Sequence, residues 1–196
     1  MAYIITLSGQ LGSGKSTIGK MLAEKLGYSF YSTGNMQRQI AARYGVTTLE
    51  LNEMCKTNPE IDREIDSVLI DLPLSGQNYI VDSRVAFHFI PSSFKVKLNV
   101  ETAIAGERIF NDTTRSGEKK YQQLEDAVEA LISRRALEVE RFKRIYNVDI
   151  DNDYNFDYVI DTTYKTPDEI CDLILKRFEK FKRSLEVALK QEETDC

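Results

Sequence analysis

Apolar positions along this chain of 196 residues follow two rhythms. Short continuous runs rich in β-branched residues alternate with longer stretches in which apolar residues recur every three or four positions. Residues 3–7 form the first short run, broken by Ser8 and Gly9, and suit a central strand buried on both faces. Over 16–26, Ile18, Met21, Leu22 and Leu26 fall at helical spacing, with Gly27 as the C-cap. Residues 28–31 read as a second strand. Helical patterns follow over 34–44, 48–55 and 59–72, the last opened by Asn58 and Pro59 as N-cap and first-turn proline. Third and fourth strands are expected at 78–82 and 94–100, and a helix at 101–111. Residues 112–120 are polar, contain Gly117 and read as a loop. A long charge-rich helix pattern covers 124–146, and 158–161 reads as a fifth strand. Thr166, Pro167 and Glu169 open the last helix with a capping box, and the tail 191–196 is expected to be disordered.

Strands alternating with helices imply a parallel sheet covered on both faces, an α/β fold. The length suits one domain, taken as 1–190. Net charge is −5, which argues against a broad nucleic-acid-binding face. Cys55, Cys171 and Cys196 are far apart and odd in number, so reduced thiols in a cytoplasmic protein are expected. The first residues carry no basic segment and read as a strand rather than a signal peptide. No apolar stretch is long enough to span a membrane, and no membrane partner is expected.

The most specific motif is Gly9-Gln10-Leu11-Gly12-Ser13-Gly14-Lys15-Ser16, which fits G-x-x-x-x-G-K-[ST] at every fixed position. It sits between a strand and a helix, where glycine-rich backbone and a helix N-terminus together cradle phosphates. These residues, with Thr17, are the expected ATP site. Lys15 should reach the β- and γ-phosphates and Ser16 should ligate Mg²⁺. Asp82 ends the apolar run of the third strand and is the second expected Mg²⁺ residue.

Three separate segments then supply arginines: Arg38, Arg84 and the pair Arg134 and Arg141. Arg134, Glu138 and Arg141 stand at i, i+4 and i+7, on one helical face. Two polyanionic substrates repel, and converging arginines offset that repulsion. A nucleotide-sensing regulator or plain P-loop ATPase would not need this convergence. His88, the only histidine, lies among Phe87, Phe89 and Ile90 and reads as packed or at a site edge rather than as a general base.

Ser32-Thr33-Gly34-x-x-x-Arg38 is similar to the monophosphate motif of the cytidylate kinase branch of nucleoside monophosphate kinases. Asp82-Ser83-Arg84 resembles that family's [DE]-G-R segment. Arg134-x-x-x-Glu138-x-x-Arg141 resembles its lid motif, and residues 158–162 its last strand. The resemblance covers about 4–175. It implies a P-loop NTPase fold with a five-stranded parallel sheet in the order 2-3-1-4-5, acceptor-binding helices over 34–72 and a lid over 112–148. It also implies transfer of the γ-phosphoryl group of ATP to a nucleoside monophosphate, CMP or dCMP first, with Mg²⁺, by a monomer. Lys15, Arg84, Arg134 and Arg141 would be catalytic. Thr33, Arg38, Arg84, Arg134, Glu138 and Arg141 would bind the acceptor, with Thr33 at the base. Arg108 would lie near the donor nucleotide. Two departures bear on the base: Val85 replaces an Asp found beside the arginine in bacterial cytidylate kinases, and Asn35-Met36 is similar to adenylate kinases. An adenylate or other small-molecule kinase therefore stays open.

Overall fold

The protein is described from a computed structural model, whose described residues are 2–55, 57–112 and 121–194. Five parallel strands form one sheet in the order β2-β3-β1-β4-β5. They are β1 (Ile4–Gly9), β2 (Ser29–Ser32), β3 (Tyr79–Asp82), β4 (Phe94–Asn99) and β5 (Tyr158–Asp161). All six residues of β1 are buried, as its uninterrupted apolar run requires of a central strand. Ile5 pairs with Ile80 on one side and with Phe94 on the other. The fold is therefore the P-loop arrangement that the sequence resemblance implied.

Side chains alternate across the sheet and feed two cores. On one face Ile5, Leu7, Ile80 and Phe94 pack with Ile18 and Leu22 of α1 (Lys15–Leu26) and with Ile170, Ile174 and Phe178 of α8 (Pro167–Thr194). Phe178 is fully buried and meets the rings of Tyr3, Tyr28 and Phe94. Lys176, Arg177, Lys180 and Arg183 on the same helix are exposed, and Lys182 lies over the Phe178 ring. On the other face Ile4 and Val81 pack with Leu69 of α4 (Pro59–Asp71) and with Ala86 and Ile90 around α5 (Ala86–Phe89). The short α5 was not legible in the sequence; with four residues it has no periodicity to read.

The connection between β2 and β3 carries α2 (Thr33–Tyr44), α3 (Thr48–Met54) and α4. Thr47 and Glu50 close a capping box at α3, and Asn58 caps α4 ahead of Pro59. These helices share their own core of Ile40, Leu51, Cys55, Ile61 and Ile65. Between β4 and β5 lie α6 (Thr102–Phe110) and α7 (Leu124–Tyr146), packed closely at Gly106, where a Cβ would stand 2.4 Å from Val128 Cγ2. Part of the expected lid, 113–120, lies outside the described residues, and Arg115 with it. At the far end α8 continues through Thr194, into the stretch 191–196 expected to be disordered: its helical pattern has no breaker before that point. Asp195 and Cys196 lie outside the described residues. Among the described residues no helix is long and apolar enough to cross a membrane.

Candidate functional site

The turn between β1 and α1 is built on glycines that no other residue could replace without strain. Gly9 has φ 134° and a Cβ there would lie 2.2 Å from the Leu98 carbonyl oxygen. Gly12 has φ 79° and would meet the Ala105 carbonyl oxygen at 2.7 Å. Gly14 caps α1 with φ 90° and no side-chain hydrogen bond, so the first amides of the helix point out of the turn. Lys15 folds back over the loop and donates to the carbonyls of Gly9 and Gln10, each at 2.7 Å, and to Ser13 Oγ at 3.4 Å. Gln10 is pinned by donating to the Val100 carbonyl at 2.6 Å. Leu11 packs beside Val100 and Ala105, and Thr17 is exposed.

Ser16 Oγ donates to Asp82 Oδ2 at 2.6 Å, and Ser32 donates to the same oxygen at 3.3 Å. A hydroxyl and a carboxylate side by side are hard-oxygen donors of the kind that fits Mg²⁺. Thr33 Oγ1 donates to the Asp82 carbonyl at 3.4 Å and so lies at the same strand end. Ser8 donates to the Arg84 carbonyl at 3.1 Å, tying the segment after β3 to β1.

Arg84, two residues beyond Asp82, reaches α7. Its Nε stands 2.5 Å from Glu138 Oε2, with both side chains nearly buried. Arg134 Nε donates to the other oxygen of Glu138 at 3.2 Å. Burial pulls the Arg84 guanidinium below its ordinary pKa, and Glu138 opposes this. For Glu138, burial pushes upward, but Arg84, Arg134 and Lys15 together hold its carboxyl below the usual range. Arg38 donates to Asn35 one turn back on α2, close above Gly34.

Two further expected residues make contacts of their own. Arg141 was grouped with Arg134 at the phosphates. Its guanidinium instead pairs with Asp62 of α4, donates to Asn52 of α3 at 2.9 Å and lies over the Phe142 ring. The shared helical face is real, but seven residues carry Arg141 about 10 Å along α7 from Arg134, to where the acceptor helices stand. Nearby, Tyr146 donates to Asp66 of α4. Arg108 donates to the carbonyls of Gly12 at 3.2 Å, Thr162 at 2.8 Å and Thr163 at 3.0 Å, so it braces the phosphate loop against the end of β5. Thr162 shares that bracing by donating to the Ser13 carbonyl at 3.2 Å. His88 is exposed and meets the rings of Phe89 and Tyr146, outside this cluster.

Asn52, Asp62, Asp66 and Tyr146 were not singled out from the sequence. A signal existed: Asp62 and Asp66 each follow a buried isoleucine at the i, i+4 spacing of the α4 core stripe. Carboxylates placed there need a partner.

Comparison with known proteins follows the same lines. Residues 4–164 match the model of the Cytidylate kinase-like family. A "Cytidylate kinase" from Methanocella arvoryzae is 32% identical over 181 residues, covering 92% of this chain and 99% of that protein. An "S-adenosylmethionine-dependent nucleotide dehydratase" from Lacinutrix mariniflava is 41% identical over 177 residues, covering 90% of this chain. This chain spans 36% of the dehydratase's length. Among solved structures, a gluconokinase from Sinorhizobium meliloti superposes with a TM-score of 0.61 at 15% identity, covering 95% of this chain and 97% of that one, which is a likeness of fold. The matched span contains the phosphate loop, Asp82, Arg84, Arg134, Glu138 and Arg141, and the chain belongs to the cytidylate kinase-like family.

Proposed function

We propose that this protein transfers the γ-phosphoryl group of ATP to a nucleoside monophosphate, with CMP or dCMP as the preferred acceptor. The observation that carries the reading is the ion-paired cluster of Arg84, Glu138 and Arg134 beside the phosphate loop. A nucleotide hydrolase needs the loop, Lys15 and Asp82, but does not need several guanidinium groups gathered after β3 and on α7. A phosphorylated acceptor does. Family membership supports a nucleotide kinase, and the cytidylate kinases among the relatives support the base. The dehydratase relative leaves the base open, since its name specifies only a nucleotide.

In this reading Lys15 gives up its contacts with the Gly9 and Gln10 carbonyls and takes phosphate oxygens of ATP instead. Ser16 and Asp82 would hold Mg²⁺, which supplies positive charge against the donor phosphates. The amides at the start of α1 receive the remaining phosphate charge. Arg38 and Arg84 hold the acceptor phosphate, and Arg134 joins them from α7. Thr33 lies near the base. An acceptor phosphate oxygen forms the new bond to the γ-phosphorus as the bond to the bridging oxygen breaks, and ADP leaves with that electron pair. The attacking oxygen is already anionic, so no general base is required, in keeping with the remoteness of His88. Arg108 acts by bracing the loop. A monomer is expected, and a cytoplasmic setting follows from the cysteine usage.

The test is coupled ADP release in the presence of CMP, dCMP, UMP, AMP and GMP in turn, and with no acceptor. Release should depend on acceptor and be fastest with the cytidine nucleotides. A clear purine preference would overturn the base assignment, and release without acceptor dependence would overturn the kinase reading.

A further inference from the structure

The cluster assigned to the acceptor phosphate already holds an anion of the protein's own. Glu138 presents one carboxylate oxygen to Arg84 Nε at 2.5 Å and the other to Arg134 Nε at 3.2 Å. A carboxylate between two guanidinium groups offers them oxygens and negative charge, as a phosphate would. The side chains of Arg84 and Glu138 are only 12% and 13% exposed, so neither charge is tolerated there alone. Asp82, the other carboxylate acting on Arg84, is engaged by the hydroxyls of Ser16 and Ser32. Lys15 lies near enough to add its charge to those that keep Glu138 ionised. Glu138 thus sits where the fields of the phosphate loop and the arginine cluster overlap.

We propose that Glu138 is a resident stand-in for the acceptor phosphate, neutralising Arg84 and Arg134 and yielding Arg84 to the incoming monophosphate. The proposal rests on the reading of these arginines as acceptor ligands. Its consequence is a filter. An anion gains at Arg84 only the difference between its own contact and the carboxylate contact it displaces. Free phosphate gains little. A nucleoside monophosphate adds contacts from its base and sugar and can complete the exchange. Glu138 is in this sense a positioning residue: it keeps Arg84 aimed into the site without taking part in bond making.

Inorganic phosphate is the probe, titrated by calorimetry into the whole protein. Glu138→Gln should bind it about tenfold more tightly or better, since a charge-assisted contact is no longer displaced. In an Arg84→Gln background the same substitution should bring no gain, because the arginine that profits is gone. In the unaltered protein, the Arg84 Nε–H resonance should move as CMP, which can complete the exchange, reaches saturation, and this decides the matter even where a variant fails to fold. Phosphate affinity that is unchanged or weaker in folded Glu138→Gln, or an Arg84 resonance indifferent to saturating CMP, overturns the proposal. None of these readings needs turnover. A protein that shows the exchange but no acceptor-dependent ADP release would contradict the kinase reading and leave the stand-in role of Glu138 in place.

Discussion

Lys15 is satisfied by its own loop, through two carbonyls at 2.7 Å. Its ammonium is therefore held at the loop, where phosphate oxygens would take the place of the two carbonyls. Lys15→Met should leave a folded protein whose turnover falls by a factor on the order of a thousand, because charge stabilisation is lost where charge is transferred. Near-normal kcat in a folded variant would show that the loop does not serve catalysis. On the acceptor side Arg38 gives the cleaner substitution. Its contact with Asn35 is local to α2 and partly exposed, whereas removing Arg84 would strand Glu138 in a buried setting. Arg38→Ala should raise the acceptor KM about 10- to 150-fold while ATP affinity, read by calorimetry, barely changes. An equal loss of ATP affinity would move Arg38 to the donor. Much of this residue-level picture was legible in the sequence. The glycine spacing dictates the loop, and the i, i+4 relation of Arg134 and Glu138 dictates their contact. Arg141 shows the limit: helical spacing says which face a side chain occupies but not which distant element covers that face.

What covers it is the acceptor segment, and this changes how α7 is understood. The sequence suggested a mobile part over 112–148. The C-terminal half of α7 is instead clasped to α3 and α4 by Arg141 with Asp62 and Asn52, and by Tyr146 with Asp66. Asp62 is 1% exposed. Arg141→Met leaves that carboxylate buried without its partner, at a cost of about 3–5 kcal/mol. For a domain of this size the melting temperature should fall by about 6–20 °C. If Arg141 acted only on substrate phosphate, its loss would raise the acceptor KM and leave the melting temperature alone. Asp66 gives a pH signature of the same clasp. Burial raises its pKa to about 6, the neighbouring Asp62 adds to this, and the Tyr146 hydroxyl and Arg141 work against it. In the unfolded chain the carboxyl ionises near pH 4, in the folded chain only near 6, so stability is lost as pH rises between the two. Asp66→Asn keeps an acceptor for Tyr146 without the charge. The stability of the variant relative to the unaltered protein should therefore grow from pH 4 to 6 and level off by about pH 7, by about 3 kcal/mol at most. Urea midpoints at pH 4.5 and 7 measure it, and a constant difference would contradict the assignment. The elements themselves were read well where periodicity is long, as in α7, whose bounds match the sequence pattern. The clasp escaped that reading because it joins residues some 80 positions apart, and period carries no information across such a distance.

Across the whole molecule, one sheet brings four sources of chemistry to a common edge. The loop after β1, Thr33 after β2, and Asp82 with Arg84 at the end of β3 meet there because the strands run parallel and end together. Arg134 and Glu138 arrive from α7, whose position is set by the packing of α6 against it and by the clasp to the acceptor helices. Strand order was expected from family resemblance rather than from periodicity, which cannot order strands. The base of the acceptor is where sequence and geometry both give least, since Val85 is buried with Phe142 and Val148 and Thr33 faces the Asp82 carbonyl. The central claim is narrower than the base: the γ-phosphoryl group leaves ATP for a nucleotide, not for water. Incubating the protein with Mg²⁺, γ-labelled ATP and CMP, and separating the products, tests it directly. The account predicts that the label is recovered in the cytidine diphosphate, with little free phosphate and little ATP consumed when every monophosphate is withheld. Label appearing as inorganic phosphate at the same rate with and without any monophosphate acceptor would contradict it.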